Sequence, residues 1–219
     1  DYLEFELAKK EEAKKYMIDK ITNHILIKKL KEVLSQKNYA FFESGNYNLN
    51  IIGIRSDTKI ANIFDDIIFC IYKEDNNWVL KKWEATTDAG TYWLKNPMNK
   101  KGTALLVPNQ YKGVYGIRKH NGKYDALCQT WGDVEVYRDN NKNNILDYNK
   151  ETIVSGKFGI NIHKSNPYNY SKFVEKYSAG CQVFKKVKDF NDFMTICNKS
   201  KNIYGNKFTY TLLSINEVT

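Results

Sequence analysis

From about residue 47 onward the chain breaks into short runs rich in β-branched and aromatic residues, each closed by a polar turn. NLNIIGIRS, FDDIIFCIYK and WVLKKWEATT come first, the last two joined by the polar hairpin connection Glu74-Asp75-Asn76-Asn77. TALLVP, GVYGIRKH, KYDALCQ and DVEVYRD follow, and Asn121-Gly122 is the strongest hairpin signal in the sequence. KFGINIH, CQVFKKV and the closing run FTYTLLSI complete the set. One helix interrupts them, expected over residues 189–199 from a cap at Asp189, on the apolar spacing Phe190, Phe193, Met194 and Cys197. Strands at this spacing predict a mainly β domain, a sandwich or a closed barrel-like sheet.

Residues 1 to about 38 carry a helical pattern instead. Ile18, Ile21, Ile25, Leu26, Leu30, Val33 and Leu34 make one apolar face, with Thr22-Asn23 as a candidate break into two helices. The glycine and asparagines of KNYAFFESGNYN supply the stop. The expected organisation is therefore a helical leader over 1–42 and a β-rich domain over 43–219.

Composition narrows the function classes. Of 219 residues 42% are hydrophobic and 14% aromatic, too many for a disordered chain, and no run approaches the roughly 18 apolar residues of a membrane helix. The net charge of +9 (34 − 25) is carried by lysine, since Arg55, Arg118 and Arg138 are the three arginines. Such an excess is either a solvated surface or an attraction to a polyanion, nucleic acid or bacterial wall polymer. Lys185, Lys186 and Lys188 and the leader lysines are the candidate phosphate contacts. Arginine, the usual base reader, is scarce, and no zinc, RNP-like or helix-turn-helix signature appears, so nucleic acid is the weaker partner. Residue 1 is Asp and no signal peptide is visible, which reads as a mature or trimmed chain, or one delivered another way, for instance by a phage.

The four cysteines form no CxxC clip. Cys70, Cys128 and Cys197 lie in apolar runs and read as small core residues. Cys181, in YSAGCQ, does not. Among the histidines, His24 reads as a surface residue, His120 as solvent-facing at a hairpin shoulder, and His163 as the end of a strand. A thiol needs a base or a positive charge to become a nucleophilic thiolate. The loop from His163 to Cys181 can return the chain and set the two side by side. Gly180 lets an acyl group approach the backbone, and the N–H groups of 179–181 are candidate oxyanion donors.

The segment H-x14-S-x-G-C, from His163 to Ser178-Ala179-Gly180-Cys181, resembles the catalytic signature of the L,D-transpeptidases, cysteine enzymes that cross-link peptidoglycan. GINIH is similar to the family's GIH segment, with two extra residues between glycine and histidine. The resemblance implies a β-sandwich-like fold and ping-pong acyl transfer on peptidoglycan stem peptides. It makes Cys181 the acyl-accepting nucleophile and His163 its base, with Ser178 and Gly180 as supporting positions. Ala179, Gln182 and Ser165 become the candidate substrate contacts. An extracytoplasmic setting, wall or periplasm, follows from that substrate, and no cofactor is implied. Ala179 stands where the family has a histidine, Gln182 where it has a hydrophobic residue, and Val183 where it has a polar one. These departures keep open a non-catalytic wall-binding or virion structural module on the same fold. What orients His163 is also open, since a backbone carbonyl suffices and no acid stands at a telling spacing.

Asp139-Asn140-Asn141-Lys142-Asn143-Asn144-Ile145-Leu146-Asp147 carries oxygen donors at positions 1, 3, 5 and 9 of a calcium loop. Lys150 replaces the acid at position 12 and the preferred glycine is missing, so an Asn-rich connecting loop accounts for it and no metal is expected.

Overall fold

A computed structural model describes residues 20–219; Ile18 and the start of the leader lie outside the described residues. Contacts divide the chain into a unit ending at Phe41 and a unit from Phe42 to Glu217. In the first, residues 20–36 form one helix, α1. It passes through Thr22-Asn23 without the expected break, because the few tenths of a kcal/mol these residues cost is small within a helix of good formers. The apolar face also needs correcting. Ile27, Leu30, Val33 and Leu34 are covered, whereas Ile21 and Ile25 are 56% and 62% exposed. Asn38, at φ +57°, ends the helix, with Tyr39 N–H donating back to Leu34 O (2.8 Å). His24 is exposed, as expected.

The second unit is mainly β. Its strands in chain order are β1 (Asn50–Arg55), β2 (Asp66–Glu74), β3 (Asn77–Thr86), β4 (Thr103–Leu106), β5 (Asn109–His120), β6 (Tyr124–Gln129), β7 (Val134–Asp139), β8 (Val154–Gly156), β9 (Ile162–Lys164), β10 (Gln182–Phe184) and β11 (Phe208–Ser214). Eight of them close into a barrel in the order β1-β11-β5-β6-β9-β10-β3-β2. The others form a three-stranded sheet, β4-β7-β8. Closure removes the edges that a short-stranded sheet would otherwise expose. Of the alternatives the strand spacing allowed, the chain takes the barrel. Within it β1 runs parallel to β11 and β9 parallel to β10; the other pairings are antiparallel.

The β2–β3 turn tightens to Asp75-Asn76, whose φ values of +49° and +63° match the type I′ geometry that follows strand twist. KFGINIH and CQVFKKV shrink to the three-residue strands β9 and β10. Gly159, at φ +69°, bends the chain ahead of β9, and the Asn161 N–H faces Cys181 rather than a ladder partner. α2 (Thr91–Lys95) lies between β3 and β4, and α3 (Val187–Tyr204) between β10 and β11. α3 buries the expected stripe of Phe190, Phe193, Met194 and Cys197 but is longer than 189–199 at both ends. Lys186 occupies the cap position and Asp189 sits in the first turn, where a carboxylate faces the positive end of the helix dipole.

One buried polar network ties the end of β1 to the turn after β3. The Arg55 guanidinium donates to Thr87 Oγ1 (2.9 Å), Thr87 O (2.7 Å) and Leu106 O (2.7 Å), and pairs with Asp88 at 3.0 Å. Asp66 accepts from the Thr87 N–H and hydroxyl, and Tyr148 donates to Asp88 (2.9 Å). Burial opposes ionisation of the Asp88 carboxyl, and Arg55 works against that shift. The guanidinium is therefore the charge partner of buried Asp88. Replacing it, Arg55→Met, strands that carboxyl and is expected to cost about 3–5 kcal/mol in urea unfolding. Lys119→Met, which removes the exposed partner of Asp125, should cost less than about 1 kcal/mol in the same measurement.

Candidate active site

The site is built by β9 and β10. Their register pairs Ile162 with Gln182 and His163 with Val183. Side chains alternate along a strand, so Asn161, His163, Cys181 and Val183 share one face, while Ile162, Gln182 and Phe184 take the other. Gln182 confirms this alternation: it is fully buried, accepts from Tyr210 Oη (2.8 Å) and donates to Thr87 O and Gly180 O (both 3.3 Å). A hydrophobic residue at this position would leave the Tyr210 hydroxyl without that acceptor. Gln182 thus lies in the barrel interior and does not reach the cleft.

The Cys181 loop is held by its backbone. Ser178, fully buried, donates its hydroxyl to Cys181 O (2.7 Å) and accepts the Gly180 N–H (3.1 Å). Gly90 N–H donates to Ser178 O (2.9 Å), which connects this loop to the Arg55 network through the turn after β3. Gly180 has φ +121°, and a Cβ there would stand 2.4 Å from Ala104 O, so both conformation and space demand glycine. The Gly180 N–H expected as an oxyanion donor is committed to Ser178.

A cleft of about 560 Å³ opens beside this loop, lined by Cys181, His163, Ala179, His120, Asn161 and Arg138 among others. Its charged lining residues, Arg138 and Lys176, are both cations. The structure therefore brings Cys181, His163 and Ala179 to one surface. Ser178 and Gly180 shape the loop from beneath. Ser165 is buried and donates to Lys185 O (3.0 Å), away from the lining.

The candidate nucleophile and base are each engaged with backbone. Cys181, half-buried, accepts the Asn161 N–H at its sulfur (3.4 Å) and donates to Gly159 O (3.4 Å). Burial pushes its thiol up to about 11, against the lowering effect of the Asn161 N–H. His163 Nδ1 lies 2.7 Å from Lys164 O, so Nδ1 carries the proton and Nε2 the lone pair. A backbone carbonyl is thus what orients His163. Burial, with His120 adding to it, lowers the imidazole to about 3. The resting pair is a neutral thiol and a neutral imidazole. All four cysteines are free; Cys70, Cys128 and Cys197 are buried, as the sequence indicated.

Sequence reasoning missed His120. Far from projecting into solvent, its ring stacks on His163, with centroids 4.0 Å apart and planes 22° from parallel. Gln129 N–H donates to Asn161 Oδ1 (3.0 Å), which turns the Asn161 amide nitrogen toward His120 Nδ1 at 3.1 Å. His120 is therefore an acceptor at Nδ1, and burial with nearby Lys123 lowers its pKa. Its approach depends on β6 joining β9 through Leu127 and Ile162, a non-local pairing without a sequence signal. Arg138 was read only as part of the composition. Its guanidinium lies over the Phe158 ring at 4.7 Å, and its Nε is buried with no hydrogen-bond partner.

Comparison with protein-family models, with curated proteins and with solved structures finds no match to this chain. The site has to be read from its own geometry.

Under native conditions Cys181 should be alkylated by iodoacetamide before the other three cysteines. With a thiol near 11, its rate should climb about tenfold per pH unit from 7 to 10, because only the thiolate reacts. Peptide mapping with time checks both; a rate that levels off by pH 8 would show a thiolate already stabilised.

Proposed function

We propose that the chain is a cysteine acyl-transfer enzyme of L,D-transpeptidase type, acting on peptidoglycan stem peptides. The observation that supports this most is the shared wall: Cys181 and His163 line one cleft, with the imidazole lone pair left on Nε2 by the Lys164 carbonyl. In this reading the thiol leaves Gly159 O for Nε2 when substrate enters, since catalytic hydrogen bonds are often loose until the complex forms. The sulfur attacks the peptide carbonyl carbon as its proton passes to Nε2. The tetrahedral species then collapses with cleavage of the C–N bond, and the proton goes from His163 to the leaving amine. An amine or water attacks the resulting thioester and gives its proton to His163, and the sulfur departs and is reprotonated. An amine acceptor makes the reaction a transpeptidation, water a hydrolysis. Cationic Arg138 and Lys176 on the lining suit a peptide that carries carboxylates. The wall substrate places the protein outside the cytoplasm. Among the described residues no helix is long and apolar enough to cross a membrane.

One observation favours the other reading, a wall-binding or virion structural module. The thiol and the imidazole are both neutral and satisfied by backbone groups. The deciding experiment incubates the protein with purified muropeptides and analyses the products by mass spectrometry. The enzyme reading predicts cross-linked or trimmed products, none with Cys181→Ala, and a rate at least about 10²-fold lower with His163→Ala. Products that persist in Cys181→Ala would overturn the role of the thiol. Retention on peptidoglycan without conversion by the wild type would establish the binding module.

A further inference from the structure

The loop after β7 plays no part in the cleft chemistry, and we propose that it is a calcium site. Asp139, Asn141, Asn143 and Asp147 stand at positions 1, 3, 5 and 9 of a calcium loop, and Ile145 at position 7, which ligates through its carbonyl. The fold closes this segment on itself. Asp147 N–H donates to Asp139 Oδ2 (3.0 Å), so the first and ninth positions meet. Asn143 N–H donates to Asn141 Oδ1 (3.1 Å) and Ile145 N–H to Asn143 Oδ1 (2.8 Å), turning the chain between them. Each of these oxygens keeps a second lone pair for a cation.

The observation that points to a ligand is on Asp139 itself. The residue is 1% exposed, and its other carboxyl oxygen, Oδ1, is buried with no hydrogen-bond partner. An acidic oxygen withdrawn from water without a donor is costly, and native folds rarely leave one so. A divalent cation held by the loop supplies the missing partner.

The far half of the loop is anchored, and the near half opens to solvent. Leu146, at 2% exposure, is core, its N–H donates to Lys59 O (2.9 Å), and Ile145 bridges Ile60. Residues 140–145 are exposed and give a cation its entry path. Two acids, two amides and a carbonyl on an irregular loop suit the adaptable shell of calcium better than the strict octahedron of magnesium. With Lys150 in place of the acid at position 12, water completes the shell, and the affinity belongs to the weak range of about 10⁻⁴–10⁻³ M. Bound cation would brace the end of β7, where Arg138, next to Asp139, faces the cleft. This inference stands whether or not Cys181 is catalytic.

The test is thermal unfolding of the full chain, chelated and desalted, against added calcium or magnesium chloride, with isothermal titration for affinity. Calcium at about ten times its dissociation constant should raise Tm by about 3–5 °C and saturate, with magnesium giving less than about a third of that. Asn143→Ala, an exposed loop substitution that leaves the core intact, and Asp147→Asn should each weaken calcium at least about tenfold. An unchanged wild-type Tm across the millimolar range would overturn the site. So would an equal response to magnesium, or the same calcium shift in both variants.

Discussion

The parallel pairing of Ile162–Lys164 with Gln182–Phe184 is the constraint on which the rest of the site depends. A parallel pair cannot be joined by a tight turn, so the chain must leave the sheet after Lys164 and come back to the end where β9 began. That return carries Ser178, Ala179, Gly180 and Cys181 to the mouth of β10, with Cys181 level with Asn161 and two strand positions from His163. A slip of one residue would bury Cys181 and expose Gln182, and the Gln182 contacts to Tyr210, Thr87 and Gly180 oppose it. Specificity of register is held by a buried amide, and the chemistry on the outer face follows from it.

The second support is electrostatic and lies below the loop. Arg55 gathers Asp88, Asp66, Thr87 and Tyr148 around the turn after β3. From the same turn Gly90 N–H holds Ser178 O and Thr87 O accepts from Gln182. One connected set of hydrogen bonds thus runs from a buried guanidinium to the backbone of the cysteine loop. The cleft side chains themselves carry little of that load. Burial leaves the thiol and the imidazole neutral at rest, and in the proposed mechanism substrate entry brings them together.

Much of the fold was legible because it is local. The alternating runs, the Asp75-Asn76 and Asn121-Gly122 turns and the Phe190-to-Cys197 stripe are all short-range patterns, and each appears where the sequence places it. The cysteine assignment was legible for the same reason: Cys70, Cys128 and Cys197 sit in apolar runs, whereas Cys181 does not. What was hidden is non-local. The closing of the barrel, the three-residue length of β9 and β10, and the approach of His120 to His163 depend on β6 pairing with β9 through Leu127 and Ile162. A hairpin shoulder in sequence thereby becomes half-buried in the fold. Gln182 became a candidate substrate contact only through the resemblance, and strand alternation turns it inward, away from the cleft lining. Asp139 shows the converse, since its spacing was visible but its orphaned oxygen was not.

Trapping the covalent intermediate tests the central claim most directly. The protein is mixed with a stem-peptide donor, quenched in acid within seconds, weighed intact and then mapped by proteolysis. The account predicts one acyl group in thioester linkage, confined to Cys181 and discharged by added amine. Turnover without any adduct on Cys181, or an acyl group mapped to another residue, would contradict it.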